Sequence, residues 1–203
     1  MQGIKNIVFD FGGVLVGLDK YGSIDAFNKI GAENIVSYID ECRQEDLFHE
    51  LEIGRISVGE FCNEVRRLCP GCNASDEAIC DAWNALLIGI PKRRLEKLIS
   101  LKSKYRLMLL SNTNPIHWHK AVRDFFPYEG YEVDDYFEKT FLSYRMHLVK
   151  PDEQIFRQML VEGAMIPGET LFIDDSPKNC AAASELGITT IHAENGDEWL
   201  SKL

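Results

Sequence analysis

The chain is short of positive charge: 22 Lys and Arg stand against 32 Asp and Glu, for a formal net charge of -10 at pH 7. Binding to a nucleic-acid backbone needs clustered Lys and Arg, so that class of partner is excluded. No apolar run approaches the roughly 18 residues of a membrane span, and no basic segment followed by an apolar one opens the sequence. A cytoplasmic protein without membrane attachment is expected. Low-complexity tracts and solenoid-length repeats are also missing, which excludes disordered and repeat architectures. The one C-x-x-C pair, Cys69 and Cys72, lacks a second ligand pair at zinc-site spacing. With Cys42, Cys62, Cys80 and Cys180 it makes six cysteines, which fit reduced thiols packed as small apolar side chains better than a disulfide framework.

The 203 residues are 45% hydrophobic and 27% charged, enough for one core that carries a smaller second unit. Apolar residues three and four apart recur in YGSIDAFNKIG (21–31), ENIVSYIDEC (33–42), EDLFHELEIG (45–54), SVGEFCNEVRRLC (57–69) and SDEAICDAWNALLIG (75–89). Ser57 and Ser75 stand where helix N-caps belong, the first with capping-box spacing to Glu60. Residues 18–89 therefore read as a helical insertion. After it, helices alternate with short apolar runs: RLMLL (106–110), KTFLS (139–143), TLFI (170–173) and ITTI (188–191). Together with NIVF (6–9) these make about five parallel strands. The fold class is α/β, a Rossmann-like doubly wound sheet built from residues 1–17 and 90–203 with the helical segment inserted as a cap.

Four of these runs stop on polar residues. Asp10 follows NIVF, Ser111 and Asn112 follow RLMLL, Lys150 comes shortly after KTFLS, and Asp174 and Asp175 follow TLFI. Each alone fits a helix cap, a turn or a surface lysine. Together at one sheet edge, three carboxylates repel one another unless Lys150 and a divalent cation join them. Magnesium takes carboxylate, carbonyl and phosphate oxygens, and Ser111 with nearby backbone N–H groups suits the remaining phosphate oxygens. A carboxylate held at a strand end is placed for in-line attack on phosphorus, forming an aspartyl-phosphate.

In order and spacing, FDFGGVL (9–15), LLSNTN (109–114), VKPD (149–152) and FIDDSPKN (172–179) resemble the four motifs of the haloacid dehalogenase superfamily, and the insertion resembles its type-1 cap. The resemblance is nearest to sugar-phosphate phosphatases of the α-D-glucose-1-phosphatase type. It implies Asp10 as nucleophile, Lys150 as charge balance, and Ser111, Asn112, Lys150, Gly12 and Gly13 around the phosphoryl group. Magnesium would be held by Asp10, the Gly12 carbonyl and Asp175, with Asp174 as a ligand or a support and Asn179 as a supporting hydrogen-bond residue. The implied partner is a small phosphorylated metabolite, and a monomer or weak homodimer is expected.

Two features depart from the pattern. Most phosphatases of the superfamily carry a second Asp two residues after the nucleophile, where this chain has Gly12; His117, His49 and Arg55 are candidates for the missing proton donor or for substrate contact. His147 and Val149 stand before Lys150 where relatives often carry Gly and a basic residue. Gly12 keeps two alternatives open: a metal-independent dehalogenase-type hydrolase, or a non-catalytic protein that binds a phosphorylated metabolite. A mutase is disfavoured because it depends strongly on that second Asp.

Overall fold

The computed structural model describes residues 3–36 and 47–203. In chain order its elements are β1 (Asn6–Phe9), β2 (Gly17–Leu18), α1 (Lys20–Lys29), a 3-10 turn (Glu33–Ile35), α2 (Leu47–Glu52), α3 (Val58–Leu68), α4 (Asp76–Asn84) and β3 (Leu87–Gly89). The remainder runs α5 (Lys92–Lys102), β4 (Arg106–Ser111), α6 (Pro115–Asp124), α7 (Val133–Tyr136), β5 (Lys139–Leu142), α8 (Ser143–Met146) and α9 (Glu153–Glu162). A second 3-10 turn (Pro167–Glu169), β6 (Thr170–Asp174), α10 (Pro177–Glu185), β7 (Thr189–His192) and α11 (Glu198–Lys202) complete it.

Strand side chains alternate between two faces. Ile7 and Phe9 of β1, Leu107 and Leu109 of β4, and Leu171 and Ile173 of β6 join one apolar cluster with Leu98 of α5, Trp118 of α6 and Trp199 of α11. Val8, Met108, Leu110 and Phe172 point the other way, onto Ile155, Phe156 and Met159 of α9 and Ala183 of α10. Both faces are thus buried, which is why these runs read as continuously apolar. The five strands lie in the order β5-β4-β1-β6-β7, every pair parallel, so the sheet is the doubly wound one expected. β1 is central, and the chain departs from it to both sides.

The helices between β2 and β3 bury an apolar cluster of their own, including Phe27, Phe48, Leu51, Phe61, Val65, Ile79 and Trp83. The capping box at Ser57 and Glu60 is made in both directions, and the Ser75 hydroxyl caps α4. Cys62, Cys69 and Cys72 are buried in this cluster, and all the described cysteines are free. The helix expected over 33–42 begins as the 3-10 turn; its residues past 36, Cys42 among them, lie outside the described residues. The expected pattern contained no counterpart of β2 and β3, which pair antiparallel where the chain enters and leaves the insertion. No helix among the described residues is long and apolar enough to cross a membrane.

The two clusters meet at α6. Its Ile116 packs into the helical cluster, and His117 stacks on Trp83 with ring centroids 4.6 Å apart. Both imidazole nitrogens are taken: Nδ1 lies 3.2 Å from the Asn114 amide nitrogen and Nε2 lies 3.1 Å from the Trp83 carbonyl. His117 is therefore a packed link between the helices and the sheet, which corrects its candidacy as a proton donor. Burial pushes its pKa down to about 4, against the opposing pull of the Trp83 carbonyl. An unfolded imidazole, with a pKa near ~6.5, takes up a proton that the folded one refuses, so stability is lost as pH falls from about 6.5 toward 4, by on the order of 3 kcal/mol. Thermal melts across that window should show a steeper loss for wild type than for His117→Asn; parallel pH slopes would refute this.

Candidate active site

Strand register brings the polar strand ends together. Phe9 lies between Leu109 and Ile173 of the flanking strands, and the Asp10 N–H continues the ladder by donating to the Ile173 carbonyl at 2.8 Å. Asp10, Ser111 and Asp174 therefore come out along the same edge, at the carboxyl ends of neighbouring strands. Lys150 reaches them from the loop after α8. That loop is tied down by Asn112, whose side-chain oxygen accepts from the Lys150 N–H at 2.8 Å while its amide donates to the Lys150 carbonyl at 2.9 Å.

The Lys150 ammonium has three donors and three oxygens: Asp10 Oδ1 at 2.7 Å, Asp174 Oδ2 at 2.7 Å and the Leu110 carbonyl at 3.1 Å. Burial alone lowers an ammonium's pKa, but the two carboxylates outweigh it and hold Lys150 above its ordinary value. Burial in turn pushes the Asp10 carboxyl up to about 7, with Lys150 pulling it down and Asp174 adding repulsion. Asp10 Oδ1 also accepts the Phe11 N–H at 2.7 Å. Asp174 is the most heavily bonded group of the three. It accepts from Ser176 N–H, from Lys150, and from Asn179 Nδ2 at both oxygens, which occupies the four sites a carboxylate offers.

Asp175 differs. It is half-buried, burial first and Asp174 second raise its pKa, and among the described residues no cation lies within ion-pair distance of its carboxylate. One oxygen from each of Asp10, Asp174 and Asp175 lies within 4.8 Å of the others. Three carboxylates around one ammonium leave the cluster negative, and a hard divalent cation between Asp10 and Asp175 fits that deficit and that donor set. Gly13 makes the approach of Asp175 possible: its φ is +75°, and a Cβ there would meet Asp175 Oδ2 at 2.3 Å. The Gly13 N–H donates to the Val16 carbonyl at 3.0 Å, so the phosphate contact expected of it is not available. Gly12 is unlike its neighbour. A Cβ there meets only Leu18, at 3.6 Å, and its φ is ordinary.

Ser111 is fully buried at the end of β4, its hydroxyl donating to the Asn112 carbonyl at 3.2 Å. The Asn112 side chain holds the Lys150 backbone with its oxygen and one of its two amide hydrogens, which leaves one amide N–H for another acceptor. A cavity of about 520 Å³ is lined by Asn112 and the 149–152 loop together with His49 and Glu52 of α2, and the acids of the cluster are not among its lining residues. Arg55 is not brought there: its exposed guanidinium pairs with Glu50 at 3.0 Å.

Three contacts that the sequence did not reveal hold α2 in place. The Ser143 hydroxyl lies 2.7 Å from the Glu52 carbonyl and 2.8 Å from that of Thr113, and it accepts the Thr113 N–H. His147 Nδ1 lies 2.8 Å from the Ile53 carbonyl. Gly54, at φ +67°, sits so close to Tyr144 that a Cβ would be 2.2 Å from its carbonyl oxygen. The only signal for this seam was the unusual His147, a non-glycine residue at φ 56°.

Comparison with known proteins bears on this arrangement. A D-ribitol-5-phosphate phosphatase of Bacteroides thetaiotaomicron is 38% identical over 200 residues, 98% of this chain and 97% of the relative. A crystal structure of a HAD family enzyme from Bacteroides thetaiotaomicron, in complex with magnesium and inorganic phosphate, superposes with a TM-score of 0.93 at 43% identity, covering 97% of this chain and 98% of that one. An L-2-haloacid dehalogenase from Xanthobacter autotrophicus shares the fold alone, at 18% identity and a TM-score of 0.60 over 98% of this chain and 83% of its own. A family profile described as haloacid dehalogenase-like hydrolase matches residues 4–187. With that match spanning the helical insertion and four of the five sheet strands, the chain belongs to the haloacid dehalogenase-like hydrolases.

Proposed function

We propose that this protein is a magnesium-dependent phosphatase acting on a small phosphate monoester, a sugar or polyol phosphate in the first instance. The observation that carries the reading is the shared ammonium: Lys150 holds Asp10 and Asp174 at 2.7 Å each while Asp175 faces the same space without a cation of its own. The named activity of the full-length relative supports the substrate class, and the magnesium and phosphate in the solved relative support the cofactor.

In this reading Asp10 Oδ1 is fixed by Lys150 and Phe11, and Oδ2 is the oxygen that attacks phosphorus. Lys150 offsets charge at the phosphoryl group, whose oxygens meet the Ser111 hydroxyl and the backbone of Asn112. Asp10, Asp175 and the Gly12 carbonyl would hold the magnesium ion. Asp174, with all its acceptor sites in use, positions Lys150, and Asn179 orients Asp174. When bound, the cation supplies positive charge to the phosphoryl oxygens and favours the ionised form of Asp10. The helices of residues 18–89 serve as the cap, closing the cavity and excluding water from the phosphoryl group.

The dehalogenase alternative needs no cation, and it leaves the Asp10, Asp174 and Asp175 cluster without a counterion for Asp175. Turnover of p-nitrophenyl phosphate should therefore vanish with chelator and return with magnesium, whereas chelator-resistant release of halide from a 2-haloacid would establish the alternative. Asp10→Asn should abolish phosphate release without loss of thermal stability, because it removes a desolvated charge; retention of more than a few per cent of activity would exclude Asp10 as nucleophile. Lys150→Met leaves two buried carboxylates uncompensated, a change that typically costs about 3–5 kcal/mol. Urea denaturation should show a loss of that order together with loss of turnover, and a fully active, stable variant would refute the assignment.

A further inference from the structure

Among the described residues the buried acids, lysines and arginines are Asp10, Lys150, Asp174 and Arg94. The first three belong to the site. Arg94 has no part in the reaction so far, although it stands in the first turn of α5, where the chain returns from the insertion. Its guanidinium spans two segments far apart in sequence. Nη1 donates to the Leu15 carbonyl at 3.0 Å, in the loop that follows Asp10, and Nε donates to Asp197 Oδ1 at 2.9 Å, just before α11. A buried ion pair is weak evidence for stability, because apolar residues of similar volume often hold a fold as well. What the planar fork adds is a fixed direction for each acceptor.

The Leu15 carbonyl belongs to a tight turn whose other bonds aim the Gly12 carbonyl. The Leu15 and Val16 N–H groups both donate to the Phe11 carbonyl, at 2.9 and 2.8 Å, and the Val16 carbonyl accepts the Gly13 N–H at 3.0 Å. The Gly13 nitrogen and the Gly12 carbonyl share one planar trans peptide, in which N–H and C=O point in opposite directions. Holding the Val16 carbonyl therefore sets where the Gly12 carbonyl points, and Arg94 anchors the turn at the residue before Val16. The segment that Arg94 bonds on its other side presses on the same turn. Gly196, at φ +76°, lies so close that a Cβ there would collide with the Gly13 carbonyl oxygen and stand 2.7 Å from Arg94 Nη2. Gly13 in turn lies against the Asp175 carboxylate.

Resting on the phosphatase reading, in which the Gly12 carbonyl and Asp175 help to hold magnesium, we propose that Arg94 is a positioning residue for that cation. By tying Leu15 to the segment of Gly196 and Asp197, it fixes the direction of the Gly12 carbonyl and the seat of Asp175 on Gly13. It contributes no ligand and acts through the backbone of residues 11–16.

The test is calorimetric titration of magnesium chloride into wild type, Arg94→Met, Arg94→Lys and Thr170→Val, with melting temperatures recorded for each. Thr170 is buried at the opposite end of β6 from Asp174, and its hydroxyl donates to the Ile166 carbonyl at 2.8 Å, so its replacement weakens the sheet without touching the turn. Loss of a residue that orients a metal ligand typically weakens metal binding by about 10- to 100-fold. Arg94→Met is expected to raise the magnesium Kd by at least about tenfold, and Arg94→Lys by a smaller factor because it keeps the charge without the fork. Thr170→Val should change the Kd by less than about twofold even where its melting temperature falls as far. Turnover of p-nitrophenyl phosphate by Arg94→Met should recover toward the wild-type value as magnesium is raised. A wild-type Kd in Arg94→Met, or in Arg94→Lys where that variant alone folds, overturns the proposal, as does an equal weakening in Thr170→Val. If wild type itself binds no magnesium, the reading of the site as a magnesium-dependent phosphatase is what fails.

Discussion

The site is organised by one buried ammonium. Lys150 is almost fully enclosed, and a charge in that position is tolerable only because Asp10, Asp174 and the Leu110 carbonyl meet it in the three directions it can donate. The requirement runs both ways. Asp10 and Asp174 sit at the ends of adjacent buried strands, where register leaves them no freedom to separate, and without Lys150 they would repel across a poorly solvated gap. The sheet therefore fixes the acids, the acids fix the lysine, and Asn112 and Asn179 fix the lysine's loop and the second acid from outside. What remains unneutralised is Asp175, and that residue of negative charge is the reason for assigning a cation.

The same construction explains how a helical insertion far away in sequence becomes part of the site. Ser143, the first residue of α8, bonds both to Thr113 in the loop after Ser111 and to Glu52 in the insertion. Its single hydroxyl thus joins the segment that would bind phosphate to the wall that would meet the rest of the substrate. His147 adds a second link, and its left-handed backbone is tolerated where the resembled pattern often carries glycine because the side chain gains the Ile53 carbonyl in return. The insertion is consequently seated at two places, through Ser143 and His147 near the cavity and through His117 and Trp83 behind it.

How much of this was legible beforehand depended on the range of the interactions. The five strands and the acids at their ends were visible because a strand buried on both faces leaves an unbroken apolar run, and a charge that ends such a run stands out. The β2 and β3 pair was not visible, since strands of two and three residues carry no period. Nor were the individual atoms. Motif membership placed Asn112 and Gly13 near a phosphate, and it gave no sign of the bonds from the Asn112 side chain to the Lys150 backbone or from the Gly13 N–H to Val16. His117 stood as one candidate proton donor because its burial and its bond to Trp83, 34 residues away, leave no trace in local sequence. The seam from Ser143 to Glu52, across 91 residues, was equally hidden.

The two adjacent glycines, Gly12 and Gly13, stand there for different reasons. At position 13 a side chain is forbidden twice over, by a positive φ and by the Asp175 carboxylate at 2.3 Å from where Cβ would be. At position 12 neither reason applies. A Cβ there would meet only Leu18, at 3.6 Å, so backbone conformation and the space next to the Cα do not by themselves require glycine.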